Sequence, residues 1–309
     1  MKSKNLGFLM MLTLLTSLSL FIGGFVTAKT YSASFYKGTD TYIVEDYDKN
    51  EWEEVIESTL TPDDFFGGDA NKKNAKAKNI NLGWYDNETN VYEMLTGLYI
   101  PENSLASLSS LKEEGVNRST INDAYNTTIE SWKIYQSLWS FTEDDFEVDA
   151  DRPNYILYVF KNAERYKTGL DIYHQWSDEM NSSYEVTFPN LTGDDFIWQL
   201  ILKGQYFPSP ISSYLTELVD SLECENTTTD ENSLIIERNG EKSYTVNVNY
   251  ASDGSYSQIE ILGEDEGLIY RISQNNSHQI FTWILLGIVI GVFSIAFMYR
   301  RYKLKMRRE

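Results

Sequence analysis

The chain has 309 residues, 46 acidic against 26 basic, giving a formal net charge of −20 at neutral pH, with 14% aromatic residues, two histidines and one cysteine. So acidic a chain is repelled by nucleic acid and by anionic headgroups, which excludes a nucleic-acid partner. With Cys224 alone no intrachain disulfide forms, and with no cysteine near the leader a lipid-anchored lipoprotein is excluded.

Lys2 and Lys4 precede an apolar run from Leu6 to Val26 that closes on Val26-Thr27-Ala28. This is the layout of a secretory signal peptide, residues 1–28, cleaved after Ala28. The rival is an uncleaved signal anchor, since ~20 apolar residues span a bilayer. Gly23-Gly24 and the polar Thr13, Thr16, Ser17 and Ser19 count against that rival.

Residues 29–279 then read as an extracellular α+β domain. Eighteen basic and 45 acidic residues remain there once Lys2, Lys4, the six cations after residue 299 and Glu309 are set aside, a net charge of −27. Residues 41–47 (TYIVEDY) predict a strand, and Trp52, Val55, Ile56 and Leu60 recur at helical spacing. Lys72, Lys73, Lys76 and Lys78 form the only basic cluster of this domain and are expected to pair with neighbouring carboxylates. Residues 79–85 and 91–100 predict a hairpin across 86–90, stopped by Pro101. Ser104 is the expected cap of a short helix carrying Leu105, Leu108 and Leu111 and ended by Gly115. Tyr125, Ile129, Trp132, Gln136 and Trp139 follow a helical period. Residues 155–160 predict an apolar strand, 163–180 a helix and 184–188 another strand. Ile211, Tyr214, Leu215, Leu218, Val219 and Leu222 give an amphipathic helix, with Cys224 beyond it expected as a small buried hydrophobe. Four strands close the domain at 234–237, 244–250, 256–262 and 268–272, joined by Asn239-Gly240, Asp253-Gly254 and a Gly-rich turn at 263–267. Tyr244, Val246, Val248 and Tyr250 share one face of this antiparallel meander and face the core.

One pattern, Thr-x-Asp-Asp-Phe, occurs three times: at 61–65, 142–146 and 192–196. The flanks differ in each copy, which argues against an internal duplication. Thr192 with Asp195 three positions on resembles a capping box, and both carboxylates of a pair suit a positive helix terminus. Helix or turn initiation is therefore the expected role. The alternative for the second copy is calcium, because Glu143, Asp144, Asp145, Glu147, Asp149 and Asp151 are hard oxygen ligands. An EF-hand loop starting at Asp145 would need glycine at Ala150 and glutamate at Ile156, so no metal is assigned.

Catalytic signatures such as Gly-x-Ser-x-Gly, His-Glu-x-x-His and the phosphate-binding glycine loops do not occur. His174 and His278 have no metal partner at ligand spacing, and no cofactor is implied. No enzyme is expected, although a carboxylate pair distant in sequence would suffice for a glycosidase. Six tryptophans in the domain and many tyrosines raise the prospect of a binding surface, since exposed rings stack on sugars and dominate interfaces. Seven sequons, at Asn87, Asn117, Asn126, Asn181, Asn190, Asn226 and Asn275, are glycan acceptors all placed outside the membrane.

Residues 280–299 (IFTWILLGIVIGVFSIAFMY) carry no charge and reach the ~20 residues that cross a bilayer as a helix. Arg300, Arg301, Lys303, Lys305, Arg307 and Arg308 follow, so residues 300–309 are the cytoplasmic tail. Gly287, Gly291 and Ser294 lie one turn apart on one face, a spacing at which two such helices pack as a homodimer.

A signal peptide, the opening G-T-D-T-Y-I-V-E-D-Y-D, the closing Y-A-S-D-G-S-Y-S-Q-I-E, one terminal helix and a basic tail together resemble uncharacterised archaeal single-pass cell-surface proteins. The resemblance implies location at the cell membrane and no residue roles. The meander is also similar to the curved sheets of lipoprotein-carrier domains, which cradle acyl chains. The expected fold is thus α+β, an antiparallel sheet with packed helices and a C-terminal four-strand meander, plus one transmembrane helix. The expected function is binding of an extracellular protein or glycan. The alternatives are a lipid-binding carrier module and a surface hydrolase.

Overall fold

The computed structural model describes residues 30–144 and 152–275. The signal segment, most of the acidic stretch at 143–151, His278, the apolar run at 280–299 with Gly287, Gly291 and Ser294, and the basic tail lie outside the described residues. No helix among the described residues is long and apolar enough to cross a membrane. From Ser32 onward the described residues form one compact unit.

Among the described residues nine strands form one sheet: β1 (Gly38–Tyr47), β2 (Lys76–Asn90), β3 (Thr128–Thr142), β4 (Tyr155–Phe160), β5 (Thr227–Asp230), β6 (Ser233–Asn239), β7 (Ser243–Tyr250), β8 (Tyr256–Leu262) and β9 (Leu268–Gln274). Their order is β4-β3-β2-β1-β9-β8-β7-β6-β5, and every neighbouring pair is antiparallel. Among the described residues eight α-helices join them: α1 (Lys49–Val55), α2 (Pro62–Phe66), α3 (Val91–Met94), α4 (Leu105–Glu113), α5 (Arg118–Tyr125), α6 (Arg165–Ser183), α7 (Gly193–Leu202) and α8 (Ile211–Ser221). The fold is α+β.

The closing meander is β6 to β9, with β5 added at its edge. Tyr244, Val246, Val248 and Tyr250 are buried while Thr245, Asn247 and Asn249 stay half-buried, so alternation has placed one face in the core. Across this face lie Leu234, Ile236, Ile259 and Ile261. The helices add their own buried side chains: Phe196, Ile197, Leu200 and Ile201 from α7, and Tyr214, Leu215 and Leu218 from α8.

Three expectations are corrected. Residues 86–90 are no turn: they are the last five residues of β2, paired with β3 as far as Asn90↔Thr128. Asn90 instead caps α3, accepting the Glu93 N–H at 3.0 Å, and the chain continues through a single π turn, Leu95–Tyr99, so 91–99 is helical and Ile100 is extended. Of the helical period from Tyr125 to Trp139, Tyr125 ends helix α5, while Ile129, Trp132, Gln136 and Trp139 belong to strand β3. Both faces of β3 are covered in its middle, where Ser131, Trp132, Ile134, Gln136 and Ser137 are all buried. Burial on two faces erases the two-residue alternation and leaves apolar residues at any spacing. Residues 184–188 are irregular rather than a strand. Asn181 takes the place of a strand partner, accepting the Phe188 N–H at 2.7 Å and donating to its carbonyl at 2.9 Å.

The outer edge of β4 does not meet solvent bare. Gln205 donates to the Tyr158 carbonyl at 3.0 Å, the Tyr214 hydroxyl donates to the Phe160 carbonyl at 2.5 Å, and the Phe160 N–H reaches the Tyr166 hydroxyl at 3.4 Å. Side chains thus occupy the groups that would otherwise invite another strand.

Candidate binding groove

The first and third copies of Thr-x-Asp-Asp-Phe start helices. In the third, Thr192 is the N-cap of α7: its hydroxyl accepts the Asp195 N–H at 3.1 Å, and Asp195 accepts the Thr192 N–H at 3.2 Å. In the first, Pro62 occupies the opening position of α2 and Asp64 accepts the Thr61 N–H at 2.8 Å. The second copy ends a strand: Thr142 accepts the Asp144 N–H at 3.1 Å, and Asp145 and Phe146 lie outside the described residues. The two copies that are described in full each start a helix.

The fold also brings the two helix-starting copies to one place. A groove of about 560 Å³ is lined by α2, the segment 101–103, the segment 189–191 and α7. That volume falls within the ~300–1,000 Å³ of sites that hold small ligands or side chains. Its apolar walls include Leu60, Phe65, Pro101, Leu191, Trp198 and Leu202. The Phe65 and Trp198 rings meet edge to face at 6.1 Å. Polar groups around them are Asp64, Asp195, Glu102, Asn103, Asn190, Gln199 and Lys203. Asp64, Asp195, Glu102, Asn103 and Asn190 are exposed.

Lys203, at the end of α7, is held inward. Its ammonium donates to the carbonyls of Gly97, Leu98 and Ile100 at 3.2, 3.4 and 3.3 Å, carbonyls left open where the π turn ends. Burial pushes its pKa down to about 8, with the Glu102 carboxylate opposing. Gln199 donates to the same Leu98 carbonyl. The wall of the groove is therefore fixed by hydrogen bonds from α7 to the π turn.

A second space, about 160 Å³, sits on the sheet side of α7 against Tyr42, Asn79, Gln136 and Tyr256. A shallow depression of about 640 Å³ lies over β6 to β8 among Glu237, Asn247, Glu264 and Glu266, the composition of a solvated sheet face.

The other sequence-predicted residues are placed as follows. Asn117, Asn126, Asn181, Asn190, Asn226 and Asn275 are exposed, and Asn87 is half-buried. The Asn87 amide nitrogen donates to the Thr89 and Ser131 hydroxyls at 3.1 and 3.2 Å. Asn117 and Asn126 cap the two ends of α5. Lys72 pairs with Asp69 and Glu143, and Lys73 with Asp46, all within 3.0 Å. His174 bonds the Leu191 carbonyl at 2.8 Å. Cys224 is a half-buried free thiol whose pKa burial and the nearby Asp194 push up to about 12, which keeps it an unreactive thiol. Trp52, Trp132, Trp176 and Trp198 are core, and among the described residues the exposed large apolar side chains are Tyr36, Tyr85, Leu105 and Ile156. No group of three or more His, Cys, Asp or Glu among the described residues is arranged to hold a metal ion. The convergence of α2 and α7 on one groove had no signal in the sequence beyond the repeated motif.

Comparison with protein-family models, with curated proteins and with solved structures finds no match.

Proposed function

We propose that this chain is a single-pass cell-surface protein whose acidic domain, residues 29–279, binds a protein or glycan outside the cell without chemical turnover. The observation that carries the binding role is the groove between α2 and α7, which combines apolar walls with exposed carboxylates and amides. Location rests on the leader, the uncharged run at 280–299 and the six cations after it. The terminal helix anchors the protein in the cell membrane, and Gly287, Gly291 and Ser294 give it a face for pairing with a second copy.

Asp64 and Asp195 in one groove are the feature closest to a hydrolase. Each already spends an oxygen on an N-cap N–H, a structural duty that supports recognition over acid–base work. A lipid carrier finds little support, because the space against the sheet, about 160 Å³, is smaller than sites that take small ligands and has amides in its wall.

The test is a binding screen of the full-length protein in nanodiscs against glycan and peptide arrays, beside a Phe65→Ser variant. Hits that Phe65→Ser abolishes support the groove. Hits that it leaves intact place recognition elsewhere. Protease treatment of intact cells, which should remove the domain and spare the tail, tests the location.

A further inference from the structure

The groove's charge is more specific than its shape. Asp64, Asp195 and Glu102 bring three carboxylates to it, and Lys203 is the one cation in its lining. That ammonium is consumed: three backbone carbonyls hold it. Asp64 and Asp195 each give one oxygen to an N-cap N–H, so the second oxygen of each is available to a guest. An anionic guest would meet these carboxylates with no free cation to receive it, inside a domain carrying −27. A neutral guest would leave the carboxylates partly desolvated without compensation. A cation satisfies them. The apolar walls ask for an apolar stem beside that charge, and lysine and arginine side chains have that build. One ring of the groove already shows the preference, because the Arg238 guanidinium lies 4.9 Å from the centre of the Trp198 ring.

Building on the groove reading above, we propose that its occupant is a basic side chain, arginine or lysine, flanked by apolar residues and presented by an extended segment of a partner protein. The stem lies against Phe65 and Leu202, and the charged head sits among Asp64, Asp195 and Glu102. Steering by the acidic domain speeds the encounter and makes it salt-dependent.

The experiment titrates full-length protein in nanodiscs with the peptide Ac-Gly-Leu-Arg-Leu-Gly-NH2 and its citrulline counterpart, which keeps the shape and removes the charge. Wild type is expected to bind the arginine peptide about tenfold or more tighter than the citrulline peptide, and more weakly as salt rises. The triple variant Asp64→Asn, Asp195→Asn, Glu102→Gln keeps acceptors for both caps and should lose about tenfold affinity for the arginine peptide alone. Equal binding of the two peptides, or binding of neither at millimolar concentration, overturns the proposal. A panel of neutral oligosaccharides separates the two levels of failure. Sugars that bind wild type and not Phe65→Ser would preserve the groove and remove the basic partner; indifference of every ligand to Phe65→Ser would remove the groove itself.

Discussion

Asp194, at the start of α7, holds Thr227, the first residue of β5: its Oδ1 accepts the Thr227 hydroxyl at 2.6 Å. The same carboxylate takes the N–H groups of Glu225 and Asn226 at 3.0 and 3.2 Å. The two aspartates of this motif therefore do different work, since Asp195 serves its own helix and Asp194 ties that helix to the edge of the sheet. Asp194→Ala should cost about 2–3 kcal/mol, because it strips a charged acceptor from three donors. Asp195→Ala should cost about 1 kcal/mol, the worth of a cap. Urea denaturation of the two variants side by side checks the order, and an equal loss would refute it.

Two glycines separate space from backbone conformation. A Cβ at Gly240 would collide with the backbone carbonyl of Ile56, where α1 ends against the β6–β7 turn. The Gly240 N–H bonds the Lys242 carbonyl, and the N–H groups of Glu241 and Lys242 bond the carbonyls of Ile56 and Val55 at 3.0 and 2.9 Å. Gly115 has φ of +89° and nothing near it. Gly240→Ala should therefore cost about 3 kcal/mol, by forcing backbone apart, and Gly115→Ala only about 1 kcal/mol of strain. Thermal melts of the two variants decide it.

Lys203 should leave a mark on stability at alkaline pH. Its folded pKa is lowered to about 8 from an ordinary 10.5, so between those values the unfolded chain binds more protons than the folded one. Stability from this group therefore rises with pH through the window 8 to 10.5, by at most about 1.4 kcal/mol per pH unit. Buried tyrosines such as Tyr42 and Tyr206, whose pKa values burial raises well above 10, act the other way above pH 10. The difference between wild type and Lys203→Met, measured from pH 7.5 to 9.5, isolates the lysine; a flat difference would refute the assignment.

The sequons should not be equivalent. Asn87 has its amide nitrogen committed to two hydroxyls, one of them the fully buried Ser131, whereas Asn190 is exposed on an irregular segment. Glycopeptide mass spectrometry is expected to find Asn190 occupied and Asn87 bare. An N-glycan at Asn190 would stand at the groove, so Asn190→Gln should strengthen whatever the groove binds. Full occupancy of Asn87 would count against the contacts seen there.

The sequence was most legible where one face of an element is wet. The meander from Ser233 to Gln274 and α8 could be placed from periodicity and turn residues, because Thr245, Asn247 and Asn249 mark the wet side of β7. It failed where burial comes from both sides or where a side chain replaces backbone. β3 hid because Trp132 and Ser131 are both covered, and the turn expected at Asp86 was overruled by thirteen register pairs with β3. The local chemistry of the Thr-x-Asp-Asp-Phe copies was readable as capping. Their meeting in space was not, since 131 positions separate Thr61 from Thr192 and only the folded sheet and helices bring them together.

The place of β1 in the sheet sets an order of events for synthesis. β1 ends at Tyr47, yet one of its two neighbours is β9, which begins at Leu268. A ribosome must therefore add more than two hundred further residues before the centre of the sheet can close. Until then the growing chain carries β1 with one flank open, in the middle of its largest element. Pairings so remote in sequence also slow the search for the native state. The nascent protein is thus most prone to self-association just before its last strand emerges.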